Sequence, residues 1–345
     1  MGDKDYSRRH CLLAGASGLT ALAFGALGSA QSQTVRDTVR ILIGVPPGGP
    51  LDATARLLAE QMKPYAPTTI VESRPGAGAR LALEALKNSP ADGSVMILSP
   101  AGPLTLNPHI YKSLNYNPQQ DFAPVTTVCS SASLLAVGPM VPASVKTVAD
   151  FISWCRANPR QSSFGSPGAG TPMHFLGITL AQTSGFEFTH IPYQGAAPAV
   201  QDLLGGQIAA VITPIAGVVP QLNSGKVRVL ATTGPQRSSV LPAVPTVSEA
   251  GFRALEFAEW FGMFVPAKTP AETVNALNGV IRDALKIKRI TAALADFALD
   301  PAGNSPAEFA RQIKADTDRW AAIVKASGFS PLDYASLTPR AIPAP

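Results

Sequence analysis

Short apolar runs alternate with stretches of helical periodicity along the first third of the chain, once the extreme N-terminus is passed. The runs at 39–45, 69–72 and 95–98 are typical of buried strands. The segments at 51–62 and 81–87 carry apolar residues at helical spacing, and Gly- or Pro-rich turns separate them from the strands. Alternating strands and helices predict a parallel sheet with right-handed crossovers. The first block is therefore predicted to be an α/β unit.

A second α/β block follows after a change of pattern. Two close apolar runs, at 124–128 and 134–137, are predicted to be separate strands with little between them. The later predicted elements are strands at 162–166, 189–191, 208–213 and 227–232, a further strand that contains Trp260, and helices at 148–157, 172–184, 197–204, 269–285 and 306–327. One stripe of the last helix carries its apolar residues, which are Phe309, Ile313, Trp320 and Val324. Two blocks agree with a length of 345 residues, at ~100–200 residues per domain.

The first thirty residues have the pattern of an export signal. Arg8 and Arg9 precede an apolar run at 12–27, which is too short and too small in side-chain volume for a stable transmembrane helix. Small residues up to Ala30 offer a cleavage site. The paired arginines predict a twin-arginine signal over 1–30, and the alternative is an ordinary secretory signal with two chance arginines. The sequence thus predicts a periplasmic protein from which the signal has been removed.

Composition narrows the class of function. Charged residues make up 15% of the chain and hydrophobic residues 46%, which excludes an intrinsically disordered protein. The net charge of +5 comes from scattered Lys and Arg without a basic run, so no nucleic-acid partner is predicted. Three cysteines and four histidines form no metal-binding motif, so no metal site is predicted. A partial dinucleotide fingerprint at 76–80 follows the second strand instead of the first, and no cofactor is predicted.

Nucleophilic catalysis is poorly supported by the sequence. No G-x-S-x-G motif occurs, and the nearest pattern, at 165–168, has the wrong spacing. His174 and His190 lie in the second block, but no Ser–His–Asp order can be singled out. Each is interpreted as a structural or ligand-contacting histidine instead of a base. The protein is not predicted to be an enzyme, and a secreted hydrolase is kept only as an alternative.

Three glycine-rich turns, at 46–52, 74–80 and 166–174, each join a strand to a helix. Ligands of open α/β sheets bind beyond the carboxyl ends of the strands, where helix N-termini favour anions. A single such turn would be explained by the need for a positive φ, at Gly48 or Gly168 for example. Three turns, divided between two blocks, favour an anion-binding cleft.

Cys129 and Cys155 would meet an oxidising periplasm, where a disulfide between them is allowed. The geometry that a disulfide needs does not follow from the sequence. Two buried free thiols are the preferred interpretation.

Eight short motifs stand in an order that resembles one protein family. They are VPPGGxxD (45–52), VESRPGAG (71–78), ADG (91–93), DFAPV (121–125), HIPYQG (190–195), DLLGGQ (202–207), PAVPTxxEAG (242–251) and WFG (260–262). Each motif alone is weak, and eight in order are specific. From about residue 39 to residue 328 the chain resembles the Bug family, the extracytoplasmic solute receptors of tripartite tricarboxylate transporters.

The resemblance implies the architecture. Bug receptors have a type II periplasmic-binding-protein fold, in which two α/β domains are joined by crossover strands with a ligand cleft between them. We expect one domain to comprise 36–133 together with 240–330, and the other to comprise 134–239. The Pro-rich stretch at 331–345 is expected to be a loose tail.

The resemblance also implies the function, which is to capture a small organic carboxylate and pass it to the membrane permease subunits of a tripartite tricarboxylate transporter or to a sensor protein. An orphan receptor for signalling is the alternative. A monomer is expected. Backbone N–H groups and ordered water hold the ligand carboxylate in this family. The residues expected here at the ligand site are Pro47, Gly48, Gly49, Leu51, Ala77, Gly78, Ala79, Arg80, Ser99, Ser166, Gly168, Gly170, Thr171, His174 and Thr213.

The first turn departs from the usual family pattern. Pro50 and Leu51 stand where small or hydroxylated residues are common. Pro50 suits the first position of a helix but has no N–H to donate. Leu51 is expected to give the site an apolar wall. Asp52 falls near the third helical position, so it is interpreted as a structural residue that would repel a bound anion.

Two further departures concern the class of ligand. Arg80 follows Ala79 where Gly-Asn is common, and it either contacts a second ligand carboxylate or is solvated in the first turn of a helix. Thr213 stands where the family commonly has Asp. Without that carboxylate a ligand ammonium group lacks a partner, which favours a non-amino carboxylate.

Overall fold

A computed structural model describes residues 37–332 of the chain. The predicted export signal at 1–30 and most of the predicted tail at 331–345 lie outside the described residues. Within 37–332, no helix is both long and apolar enough to cross a membrane.

The described part of the chain contains ten strands and eleven α-helices. The strands are β1 (Thr38–Ile43), β2 (Thr68–Ser73), β3 (Val95–Pro100), β4 (Phe122–Val137), β5 (Ser163–Ser166), β6 (Thr189–Pro192), β7 (Ala210–Pro214), β8 (Arg228–Thr232), β9 (Ala258–Pro266) and β10 (Asp300–Pro301). The helices are α1 (Pro50–Ala59), α2 (Arg80–Lys87), α3 (Gly102–Thr105), α4 (Asn107–Ile110), α5 (Pro118–Asp121), α6 (Val148–Ala157), α7 (Pro172–Ser184), α8 (Ala196–Leu204), α9 (Ala271–Ala284), α10 (Lys288–Ala295) and α11 (Pro306–Ser327).

The first lobe is built on β1, β2, β3, β9, β10 and residues 122–132 of β4. Strand β1 lies between β2 and β3 and runs parallel to both, while β9 pairs antiparallel with β3 and β4. Ile41 packs on one face of the sheet with Leu58 of α1 and Ile281 of α9. Leu42 packs on the other face with Leu83 of α2. Alternate residues of a strand point to opposite faces, so helices cover both sides of this sheet. The predicted parallel α/β unit is confirmed by these helices and by the parallel pairing of β1 with β2 and β3.

The second lobe is built on β5 to β8 and residues 133–137 of β4. Strand β5 runs parallel to β6 and β7, and β4 pairs antiparallel with β7 and β8. Leu135 and Val137 pack with α6 and α7 on one face. Leu134 and Ala136 pack with α8 on the other.

Strand β4 is continuous over 16 residues, so the prediction of two separate strands at 124–128 and 134–137 is wrong. Ser130, Ser131 and Ser133 interrupt the apolar pattern but stay extended, because Ser130 and Ser131 pair with β9 and Ser133 pairs with β7. Strand β4 therefore carries the chain from one lobe to the other. The domain boundaries given above stay a prediction.

Helix α11 packs against both lobes. The ring of Phe309 lies 5.0 Å from that of Trp260 in the first lobe. Trp320 and Val324 are buried in the core of the second lobe. The predicted apolar stripe is confirmed at these three helix positions, while Ile313 is only partly buried.

Cys129 and Cys155 are free and buried in the cores of different lobes. Burial raises the pKa of Cys129 to about 12 and that of Cys155 to about 11. Both thiols are therefore protonated and unreactive at neutral pH. This agrees with the interpretation of two buried thiols.

Candidate functional site

The strands of both lobes bring their carboxyl ends to the middle of β4. Pro100, at the end of β3, pairs with Phe261 of β9, which pairs in turn with Cys129 of β4. Pro214, at the end of β7, pairs with Ser133 of β4. Cys129 and Ser133 are four residues apart, which is about 13 Å along a strand. The loops that follow these strand ends form the place where open α/β sheets bind ligands.

The first glycine-rich turn leads from β1 into α1, with Pro50 as the first helical residue. Gly48 has a φ of +97°, and its N–H donates a hydrogen bond to Asp52 Oδ2 at 3.0 Å. The Arg56 guanidinium lies 3.0 Å from Asp52 and, chiefly through its hydrogen bond, lowers the pKa of that carboxyl. The structural interpretation of Asp52 is confirmed. The N–H of Gly48 is used inside the turn, and a contact of Gly48 with a ligand stays a prediction.

The outer side of this turn is open. A Cβ built at Gly48 or Gly49 would meet no atom within 4 Å, and Pro47 is exposed beside them. The side chain of Leu51, in contrast, is 4% exposed and packs with Ile41 in the core of the first lobe. The expectation that Leu51 gives the site an apolar wall is therefore corrected. The second position of α1 turns this side chain toward the sheet.

The second turn, in which Ala77–Ala79 form a short 3₁₀ helix, packs against the end of β1. Gly78 and Ala79 have φ values of +64° and +71°, a left-handed conformation that is uncommon for alanine. A Cβ at Gly44 would lie only 2.3 Å from that of Ala79. Gly44 therefore lets the first two turns lie side by side. Gly44 was not among the predicted site residues, although a glycine at the end of a buried strand signals such a close approach.

Arg80 is the first residue of α2 and is 2% exposed. Its guanidinium carbon lies 4.3 Å from the centre of the Tyr111 ring, which is a cation–π contact. The alternative of a solvated Arg80 is therefore wrong. Its positive charge is held between α2 and the end of α4.

The end of α4 links the second turn to the third. Tyr111 covers Arg80 on one side. The adjacent Ile110 faces the third turn, because a Cβ at Gly170 would lie 3.3 Å from its Cδ1 atom. The structure thus places the start of α2 and the third turn on either side of these two residues.

Hydrogen bonds within the third turn hold its shape. Thr171 caps the start of α7 and donates its hydroxyl to the carbonyl of Gly168 at 2.7 Å. The N–H of Gly170, whose φ is +72°, donates to Nδ1 of His174 at 3.2 Å. His174 therefore holds the turn in place, and its contact with a ligand stays a prediction.

Two histidines stack behind the third turn. The rings of His174 and His190 lie 3.8 Å apart with 20° between their planes. Burial lowers the pKa of both, that of His190 to about 4, so both rings are neutral at neutral pH. Nε2 of His190 lies 2.7 Å from Oγ of the fully buried Ser166. His190 was not among the predicted site residues, although it begins one of the eight motifs.

We expect these histidines to make the protein less stable in mildly acidic solution. Between the folded pKa of His190, about 4, and its unfolded value near 6.5, the unfolded state binds more protons. The stabilisation is fully present above pH ~6.5 and is lost as the pH falls toward 4, with a loss of up to about 3 kcal/mol. In urea denaturation from pH 7 to 4.5, His190→Gln should flatten the slope of unfolding free energy against pH. An unchanged slope would contradict this assignment.

Ser99 and Thr213, the remaining predicted contacts, are fully buried. Ser99 donates its hydroxyl to the carbonyl of Pro100 at 3.1 Å. Thr213 Oγ1 has no hydrogen-bond partner among the described residues, and a Cβ at Gly217 would lie 3.1 Å from it. A buried hydroxyl without a partner is costly, so this oxygen is suited to an ordered water or a ligand group. Their contacts with a ligand stay predictions.

Two neighbouring cavities lie between α11 and the segment that follows α3. Their volumes are about 520 and 320 Å³, and both are lined by Leu104, Pro118 and Gln119. None of the predicted site residues lines either cavity. The larger one is bordered by Tyr111, whose ring covers Arg80.

Comparison with known sequences places the chain in a family. Residues 54–329 match the profile of the tripartite tricarboxylate transporter family receptors. Protein BugT of Bordetella pertussis is 31% identical over 292 residues, which are 84% of this chain and 89% of BugT. The predicted resemblance to the Bug family is confirmed.

Comparison with solved structures gives the same result. Rpa4515 of R. palustris, solved with adipate, is 31% identical with a TM-score of 0.73, over 86% of this chain and 98% of that one. MatC of Rhodopseudomonas palustris, solved with bound malate, is 27% identical with a TM-score of 0.68, over 83% and 98%. The predicted two-domain periplasmic-binding-protein fold is confirmed. This chain therefore belongs to the receptors of the tripartite tricarboxylate transporter family, which are periplasmic solute-binding proteins.

Proposed function

We propose that the protein captures a small organic dicarboxylate between its two lobes and delivers it to the membrane permease subunits of a tripartite tricarboxylate transporter. One observation carries the proposal: three glycine-rich turns, from both lobes, are linked through Gly44 and the end of α4. Backbone N–H groups at the starts of helices favour carboxylates. Hinge closure of two lobes sequesters a ligand without bond chemistry.

Three features favour a dicarboxylate over an amino acid. The relatives Rpa4515 and MatC were solved with adipate and malate, and both of these ligands carry two carboxyl groups. Arg80 holds a buried positive charge beside the second turn, and a charge-assisted hydrogen bond to such a group is worth about 1.5–3 kcal/mol. Thr213 offers no negative charge to a ligand ammonium group.

A secreted hydrolase is the second candidate, because Ser166 Oγ lies 2.7 Å from His190 Nε2. Two features disfavour it. The Ser166 hydroxyl is buried and donates a hydrogen bond at 3.0 Å to the carbonyl oxygen of Gly168. A histidine with a pKa of about 4 is a weak general base at neutral pH. Hydrolysis of p-nitrophenyl esters should be no faster with the purified protein than with His190→Gln, and a clear excess would favour the hydrolase.

A thermal-shift screen over small carboxylates tests the proposed ligand class. A ligand at 100 times its Kd should stabilise the protein by about 2.7 kcal/mol. We expect a clear rise in Tm with adipate or malate and little change with glutamate or aspartate. A larger rise with the amino acids, or none with any carboxylate, would contradict the proposal.

Delivery to a transporter needs a separate test, because an orphan signalling receptor would bind the same ligand. Uptake of the labelled carboxylate should fall in cells that lack the protein and return when it is supplied. Unchanged uptake, with binding intact, would favour the signalling receptor. Export through a twin-arginine signal at 1–30 belongs to the same proposal. It predicts that the protein folds in the cytoplasm before it is exported, and export of an unfolded chain would contradict it.

A further inference from the structure

A glutamate that was not among the predicted site residues lies where the strands of both lobes end. Glu259 is in β9 and pairs with Ser131 of β4. Its Oε1 accepts a hydrogen bond at 2.8 Å from the N–H of Ala101, the residue that directly follows β3 in the first lobe. Two residues earlier, Phe257 donates its N–H to the carbonyl of Thr233, which follows β8 in the second lobe. Glu259 therefore lies between the lobes, and the residue as a whole is partly exposed.

The surroundings of Glu259 disfavour its ionised form. Burial raises the pKa of Glu259 to about 7, although the N–H groups of Ala101 and Gly102 favour the carboxylate. Asp316 of α11 faces it and raises the pKa further by charge repulsion. Arg319 is the nearby positive charge and acts on Asp316. A carboxyl group with such a shift, placed where the strands of both lobes end, is a candidate for a functional position.

We propose that Glu259 makes the receptor selective for dicarboxylates by donating a proton in a hydrogen bond to the second carboxylate of the ligand. This inference rests on the proposed function, in which the glycine-rich turns hold the first carboxylate. The neutral Glu259 carboxyl is the donor and the ligand oxygen is the acceptor. Glu259 takes this proton from solvent as the ligand binds, and no covalent bond changes in the ligand. Ionised Glu259 would repel the same group.

The proposed role of Glu259 predicts that the affinity for a dicarboxylate falls as the pH rises. The loss of stability expected from the histidines has the opposite direction, because it occurs as the pH falls. Simple carboxylic acids lose their protons well below pH 6, so the charge of the ligand is constant from pH 6.5 to 8. Over this range the neutral fraction of Glu259 falls. The Kd for a dicarboxylate should therefore rise roughly tenfold from pH 6.5 to 8.

Isothermal titration calorimetry with adipate and malate, on the full protein, measures this directly. The wild type should show the tenfold change in Kd and should take up a proton, seen as a dependence of the binding heat on the ionisation enthalpy of the buffer. Glu259→Gln keeps a carbonyl that accepts from Ala101, and its Kd should not vary with pH. Glu256→Gln is the matched control, because Glu256 lies three residues earlier and accepts from Ser248. It should behave like the wild type.

The outcomes separate this inference from the proposed function. A wild-type Kd for adipate and malate that does not vary between pH 6.5 and 8, without proton uptake, overturns the role of Glu259 and leaves the receptor function standing. Tighter binding of glutamate to the wild type than to Glu259→Gln also overturns it, because Glu259 would then pair with an ammonium group. No binding of any carboxylate at any pH overturns the proposed function, and this inference with it.

Discussion

Replacing Gly78 with Asp is expected to weaken carboxylate binding by about 100-fold or more while leaving the folded structure largely intact. Gly78 has left-handed φ and ψ of +64° and +46°, which Asp and Asn tolerate better than other side chains. A Cβ there would meet no atom within 4 Å, so the new side chain has room. It would place a negative charge beside the bound anion, and repulsion near a protein surface is worth up to about 4 kcal/mol at 4 Å. Calorimetry gives the affinity, and a melting curve gives the stability.

Two variants separate charge from backbone effects at this position. Gly78→Asn has nearly the same shape without the charge, so it should retain most of the affinity. Gly225→Asp places the same side chain at another left-handed, open glycine, where φ is +70°, and should leave binding unchanged. Equal affinity of wild type and Gly78→Asp would show that the second turn does not hold the ligand. Equal losses in Gly78→Asp and Gly78→Asn would assign the effect to the backbone.

Replacing Gly44 with Ala is expected to displace the second turn and so to reduce both stability and affinity. The added methyl group would lie 2.3 Å from Cβ and 2.5 Å from Cα of Ala79, so the backbone of the turn must move. Overpacking of this kind costs about 1–3 kcal/mol. Because the same shift separates the first two turns, ligand affinity should fall about tenfold or more, as measured by calorimetry. Urea denaturation gives the change in unfolding free energy.

Gly49→Ala is the matched control for this variant. Gly49 caps α1 with a φ of −90° and has no atom within 4 Å of a built Cβ, so alanine fits there without strain. It should change stability by little. If Gly44→Ala binds and unfolds like the wild type, then the contact between β1 and the second turn does not organise the site.

The pattern of apolar and polar residues predicted most of the fold, because the strands of the first lobe are continuous apolar runs between glycine- or proline-rich turns. It failed at β4, where small serines in the middle of the strand resemble a break but are kept extended by pairing with β7 and β9. It also missed α10 (Lys288–Ala295), which is only 8 residues long and buries just Ile290 and Leu294.

The site was predictable as far as it depends on turns that are local in sequence. The three glycine-rich segments lie at strand ends as expected, and Asp52 accepts a hydrogen bond from the turn that precedes its own helix. Side-chain direction and contacts between distant segments did not follow from the sequence. Arg80 is buried because Tyr111 covers it, and Glu259 reaches the end of β3 only because β9 pairs there. Both placements depend on contacts between segments that are distant in sequence, and the local residue pattern does not specify such contacts.

A crystal structure of the protein with adipate tests the central claim most directly. We expect one carboxylate within about 3 Å of backbone N–H groups in the glycine-rich turns, between the two lobes. The second carboxylate should point toward Arg80 or Glu259. Adipate bound in the cavity of about 520 Å³ beside α11, with the turns empty, would contradict it.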